Sequence, residues 1–182
     1  MILSSDYHTH TPYSHGKNTV LENATVAKAK GLKEIAITDH GFNHILFGLK
    51  RKKLPDLRAE IIEAEKLTGV KVLLGMESNL ISLDGSTDMK KTDLSDFDIY
   101  LCGIHEVLWF KSFSDMYNIF LKNYSAYKFG RKPSDKVIAN TTKAYINAIK
   151  SNPIDILTHI NYKCYCNLQE VAKCCADYGT YI

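Results

Sequence analysis

The sequence predicts an α/β domain of parallel strands covered by helices, either closed as a barrel or left as an open sheet. Three observations carry this. Strand-like and helix-like runs alternate along the chain. The strand-like runs are apolar on both faces, as strands buried between two layers must be. Most of the histidines, together with one glutamate, stand at or just after the ends of these runs, where α/β folds gather their functional groups.

Each element has its own signal. ILSSDYH (2–8) opens the chain in extended form. Residues 18–31 read as a helix: Thr19 serves as N-cap, Glu22 completes a capping box, and Gly31 stands at C′. KEIAIT (33–38) is a short apolar strand. Residues 54–69 carry Leu57, Ile61, Ala64 and Leu67 at helical spacing and close on Gly69. VKVLLGME (70–77) is a buried strand, and LDGS (83–86) holds an Asp-Gly turn signal. FDIYLCGIH (97–105) is the next strand. Helical stretches near 112–128 and 134–151 flank GRKP (130–133), and PIDILTH (153–159) is extended again. Residues 167–179 set Leu168, Val171, Ala172 and Cys175 on one helix face, after which TYI (180–182) begins a strand.

Bulk composition narrows the class. At 182 residues, 45% hydrophobic and 24% charged, the chain is expected to form a single domain, 1–182. A net charge of +3 is too mild to imply a nucleic-acid partner or an anionic membrane. Lys50, Arg51, Lys52 and Lys53 read as a solvated loop or helix start. No basic flank followed by an apolar run opens the sequence, so a secretory leader is not expected; no apolar run is long enough to span a bilayer, and five irregularly spaced cysteines read as reduced thiols. A cytoplasmic location is expected.

The histidines carry the chemistry. Three of the seven, His8, His10 and His15, fall in DYHTHTPYSHG. His8 and His10 are two residues apart at a strand end and can share one side. His40, Glu77, His105 and His159 follow four further strand-like runs. Parallel packing would bring all of them into one cup. A cup of imidazoles with one carboxylate does not suit a Ser-His-Asp site, which needs one general base; it suits Zn²⁺, Mn²⁺ or Fe²⁺. Two or three ions sharing Glu77 is the economical arrangement. His44 lacks a strand-end position and reads as a non-ligand. DLSDFD (93–98) precedes a strand and belongs to the opposite end. Asp39 reads equally as an acceptor orienting an imidazole or as a loop cap.

Five ordered stretches resemble the motifs of the PHP (polymerase and histidinol phosphatase) family, in its compact bacterial phosphoesterase form: DYHTHTPYSH, ITDHG, GMESNL, CGIHE and LTHINY. The resemblance implies a distorted seven-stranded, TIM-like (β/α) barrel with three divalent ions at its mouth. Carried over, His8, His10 and Glu77 bind one ion; Glu77, His105 and His159 the second; His15 and His40 the third. Ile160 stands where the family usually has proline. A further family motif, with an Asp and a His, falls beyond Ile182. The barrel is therefore expected to be incomplete at its C-terminal side, two ions one ligand short, and self-association through the open edge possible.

The implied activity is hydrolysis of a small phosphomonoester, histidinol phosphate being one candidate, by a metal-activated hydroxide in which Glu77, His105 and His159 act. Two alternatives stand beside it: a non-catalytic metal-binding or regulatory module, and a nuclease-like activity on DNA ends, which the weak charge disfavours.

Overall fold

Parallel strands cannot be joined by tight turns, so each needs a crossover; this chain supplies α-helices for three of the four and a 3₁₀ segment, Lys91–Asp96, between the third strand and the fourth. The computed structural model describes residues 3–182; Ile2 of the first extended run lies outside them. Five strands form one sheet: β1 (Ser5–Thr9), β2 (Glu34–His40), β3 (Lys71–Asn79), β4 (Ile99–Gly103) and β5 (Ile156–Leu157). All pair in parallel, in the order β1-β2-β3-β4-β5. The order never reverses, so right-handed crossovers stack the helices on one face and the sheet curls into a half-barrel. Tyr181 adds a parallel one-residue bridge to Ile156, where TYI was expected to begin a strand.

The helices arise where the sequence places them. Helix α1 (Val20–Ala29) has the Thr19–Glu22 capping box. Arg51–Lys53 make a 3₁₀ turn into α2 (Leu54–Thr68). A composite helix follows, α3 (Phe113–Asp115), a π-helical turn (Met116–Leu121) and α4 (Lys122–Lys128). Then come α5 (Asp135–Ser151) and α6 (Leu168–Tyr178). Two details differ from expectation. In α2 the buried stripe is Leu57, Ile61, Ala64 and Thr68, with Leu67 exposed, because a 3.6-residue period carries the stripe from 64 to 68. In α6 Leu168 is exposed, and Val171, Cys174 and Cys175 face inward.

Alternation along the strands divides two faces. Ile35, Ile37, Val72 and Leu74 pack against Val20, Ala24, Leu57 and Ile61 of α1 and α2. Met76, Tyr100, Cys102 and Leu157 pack against Tyr145, Ala148, Val171 and Cys175 of α5 and α6. Each fully buried Leu or Ile contributes about 1.5–3 kcal/mol, which fixes strand register on the helix side. The intervening residues, Ala36, Thr38 and His40 on β2 and Gly75, Glu77 and Asn79 on β3, are thereby committed to the other face. Among the described residues no helix is long and apolar enough to cross a membrane.

The Asp84-Gly85 turn forms, with Gly85 N–H donating to Ser82 O at 3.1 Å. Gly85 has φ +87°, and a Cβ there would lie 2.4 Å from the backbone of Asn147 and Ala148 in α5. Gly85→Ala is therefore expected to cost about 3 kcal/mol, left-handed strain and helix displacement together, in chemical unfolding. A loss under about 1 kcal/mol would show that α5 retreats freely.

Candidate metal centre

Local structure aims each imidazole at the open end of the sheet. In β1 the register slips: Asp6 pairs with Ile35 but Thr9 with Ile37, so Tyr7 and His8 together oppose Ala36. This bulge turns His8 to the inner face, and His10 follows two residues later. The next loop is tied down by Asp39, which is fully buried at the end of β2. Its carboxylate accepts from Thr11 N–H (2.8 Å), Thr11 Oγ1–H (2.5 Å) and Ser14 Oγ–H (2.6 Å). The loop so anchored presents His10 and His15. His40 ends β2 directly beside Glu77 of β3. His105 follows β4 by two residues, and His159 follows β5 by two. His159 has φ +30°, a strained backbone for a non-glycine residue. Gly103 leaves room for it: a Cβ there would meet Thr158 Oγ1 at 2.3 Å and His159 Cε1 at 2.9 Å.

Five imidazoles converge on the Glu77 carboxylate, which is sealed from solvent. His159 Nε2 lies 2.7 Å and His8 Nε2 3.1 Å from Oε1. His40 Nδ1 lies 3.0 Å, His105 Nε2 3.2 Å and His10 Nε2 3.6 Å from Oε2. Among the described residues, four buried side-chain polar atoms lack a hydrogen-bond partner: His10 Nδ1, His40 Nδ1, His105 Nε2 and Glu77 Oε2. All four are in this cup. Buried polar atoms without partners are costly. Clustered lone pairs of imidazole and carboxylate are what a divalent cation satisfies, so these residues fit the expected metals. Three sets of ligand atoms lie within 4.8 Å of one another: His8/His10/Glu77, His10/His15/His40 and His40/Glu77/His105. His15 thus joins the cup beside His10 and His40, and His159 enters through Glu77 alone.

The other residues singled out in the sequence fall as follows. Asp39 acts as the loop's anchor; its Oδ1 is 3.8 Å from His10 Nδ1, beyond hydrogen-bond reach. The His44 ring stacks on His40 at 4.7 Å, and its Nδ1 accepts from Phe47 N–H (3.1 Å), which leaves its proton on Nε2. Its loop is held over the mouth by Ile45 N–H to Val107 O and Trp109 N–H to Asn43 O. In DLSDFD, Asp93 pairs with Arg51 and Asp98 with Arg58, so both carboxylates are engaged by guanidinium groups. Arg51 is further held over the Phe42 ring at 3.8 Å. Two residues that sequence reasoning passed over belong to the site. Asn79 Oδ1 lies 2.7 Å from His105 Nδ1, and buried Asp88 holds the Asn79 amide at 2.5 Å. Asn79 had a signal: it follows Glu77 by two residues, hence lies on the same strand face.

Burial and mutual repulsion set the charges. Burial, then neighbouring His40, lowers His10 to about 3, and burial with His40 and His105 lowers His44 to about 4. Burial also lowers His15 and His105. For His8, burial acts downward, but the bond to Glu77 prevails and raises it. For Glu77, burial acts upward and is overwhelmed by the facing imidazoles, His159 and His8 on Oε1 among them, which hold it far below the usual carboxylate range. Near neutral pH the cup therefore joins an ionised Glu77 to neutral His10, His15, His44 and His105, a set that binds cations.

Comparison with known proteins places the chain in a family and matches its fold. The PHP domain family matches residues 6–180. A probable phosphatase of Thermoanaerobacter sp. is 32% identical over all of this chain, which spans 64% of that protein's length. A probable phosphatase of Shewanella baltica is 33% identical over 96% of the chain and 58% of its own length. Among solved structures, histidinol phosphate phosphatase from Lactococcus lactis, in complex with zinc, L-histidinol and phosphate, superposes with a TM-score of 0.60. It is 17% identical, over 97% of this chain and 71% of that one, a likeness of fold.

Acid should destabilise the chelator-treated protein. His10 and His44 take up protons near 6.5 when unfolded but only near 3 and 4 when folded, so stability falls as pH drops below about 6.5 and keeps falling toward 3. Glu77 acts in the same direction at lower pH, while His8 and Asp39, both raised in the fold, oppose it. Thermal midpoints at pH 8, 6 and 4.5 check this; a midpoint unchanged or rising toward acid would contradict the neutral-imidazole assignment.

Proposed function

This chain belongs to the PHP domain family, and from that premise we propose that it hydrolyses a small phosphomonoester with divalent metal ions held in the histidine cup. The observation that carries the reading is the set of four unpartnered buried lone-pair atoms around Glu77. His8, His10 and Glu77 would hold one ion, Glu77 with His105 and His159 a second, and His15 with His40 a third. Zinc, manganese and iron suit such donors. Bound ions supply Lewis acidity, lowering the pKa of a water and neutralising phosphoryl oxygens.

The chain's own residues provide position. Asp39 keeps Thr11 and Ser14, and with them His10 and His15, at the mouth. Glu77 is the shared carboxylate, ionised across the working pH range. The His44 loop, stacked on His40, and Tyr162, whose ring centre is 6.2 Å from that of His159, would flank the alcohol of the ester. Histidinol phosphate is the first natural ester to try, given the ligands of the Lactococcus enzyme. Five free, buried thiols suit a reducing cytoplasm.

The test is hydrolysis of p-nitrophenyl phosphate and histidinol phosphate with added Mn²⁺ or Zn²⁺, alongside elemental analysis of metal per chain. Turnover should vanish with chelator and fall more than about 100-fold in His10→Ala and Glu77→Ala, since loss of mere supporting residues around a metal already costs 10–100-fold. Full metal loading without turnover of any ester would overturn the enzymatic reading in favour of a metal-binding module. Strongly salt-dependent DNA binding with cleavage of DNA ends would favour a nuclease.

A further inference from the structure

A neutral imidazole offers a cation only the nitrogen that carries no proton, so the tautomer of a ligating histidine matters as much as its position. For His105 that choice is decided outside the cup. Asp88 is buried and, as a carboxylate, only accepts hydrogen bonds. Its Oδ1 takes Ser78 Oγ–H (2.6 Å) and Asn79 N–H (2.7 Å). Its Oδ2 takes Asn43 N–H (2.8 Å) and Asn79 Nδ2–H (2.5 Å). The last contact settles the Asn79 amide: the NH₂ must face Asp88, so the carbonyl oxygen faces His105 Nδ1 at 2.7 Å. That oxygen cannot donate, so Nδ1 must carry the proton. Nε2 is left bare, 3.2 Å from Glu77 Oε2 and without a hydrogen-bond partner.

Left free, the ring would do the opposite. With the proton on Nε2 it would donate to Glu77, and a reversed Asn79 amide would donate to Nδ1. Both orphaned atoms would be satisfied and the metal-binding lone pair lost. We propose that Asp88 is a positioning residue: through the Asn79 amide it locks His105 in the Nδ1–H tautomer, keeping Nε2 available to a divalent cation. The inference rests on the proposed role of His105 as a ligand, and it adds the device that makes that role possible. Asp88 also binds the backbone of Asn43, so the same carboxylate joins the loop after His40 to the end of β3.

The experiment reads the His105 ring nitrogens by ¹⁵N NMR in metal-free protein at pH 8, then measures zinc affinity by competition with a chelating dye. Wild type should show Nδ1–H. Asn79→Ala leaves Asp88 and its other bonds in place, and should show Nε2–H with zinc affinity at one site weakened by about 10–100-fold. Asp88→Ala should do the same. Asp88→Ala combined with Asn79→Asp restores an acceptor-only oxygen opposite Nδ1, and should recover the Nδ1–H tautomer and most of the affinity. The single and double variants lose the same bonds to Ser78 and Asn43, so a merely structural role for Asp88 predicts no rescue. Nδ1–H persisting in both single variants would overturn the proposal. A tautomer that switches while zinc affinity stays constant would support the relay and overturn the ligand role of His105.

Discussion

One carboxylate, sealed from water and faced by five imidazoles, is the constraint on which the rest of this structure depends. Glu77 sits on β3, the central strand, with β2 and β4 hydrogen-bonded on either side. A buried charge is expensive to desolvate, and contacts from imidazoles answer that cost only in part. The fold therefore works against its own local stability here, and the cost is carried by the two apolar layers between sheet and helices. That division of labour is typical of α/β domains: side chains facing the helices supply cohesion, while those at the strand ends are free to be destabilising and useful.

The anchors around the cup show how such a site is kept rigid without side-chain bulk. Asp39 and Asp88 are both buried carboxylates that spend their lone pairs on backbone N–H groups and hydroxyls. Each ties a loop to a strand end, the first loop to β2 by Asp39 and the His44 loop to β3 by Asp88. The histidines themselves make few hydrogen bonds, so their positions are inherited from these two acids, from the β1 bulge and from the gap left at Gly103.

Much of this was legible in the sequence, for reasons that differ by element. Helices α1 and α2 announce themselves through caps and spacing, and β2, β3 and β4 through apolar runs. His40 was expected just after its strand (33–38) and Glu77 at the close of its own (70–77); β2 in fact extends to His40 and β3 to Asn79, because the two remain in register through His40 and Glu77. The run 153–159 shrinks to the two-residue β5, its C-terminal part curving through the strained His159. The bulge in β1 was invisible, since nothing in DYHTH marks an extra residue until its partner strand is known. Asp88 was equally hidden: it sits in a loop eleven residues after Glu77, and only the folded turn brings it beneath Asn79. Leu67 and Leu168 misled because apolar identity was weighed above angular position.

The strand order has a consequence for how the protein is made. Chains emerge from the ribosome N-terminus first, and here each new strand finds its neighbour already present, β2 beside β1, then β3, β4 and β5. The sheet can thus be laid down as it is synthesised, with no strand waiting for a later one to be inserted. The cup obeys the opposite schedule. Its first histidines leave the ribosome well before Glu77 and His159 long after it, so the nascent domain passes through stages in which Glu77 has only some of its imidazoles. Assembly of the sheet is progressive, whereas Glu77 gains its fifth imidazole only once His159 has been made.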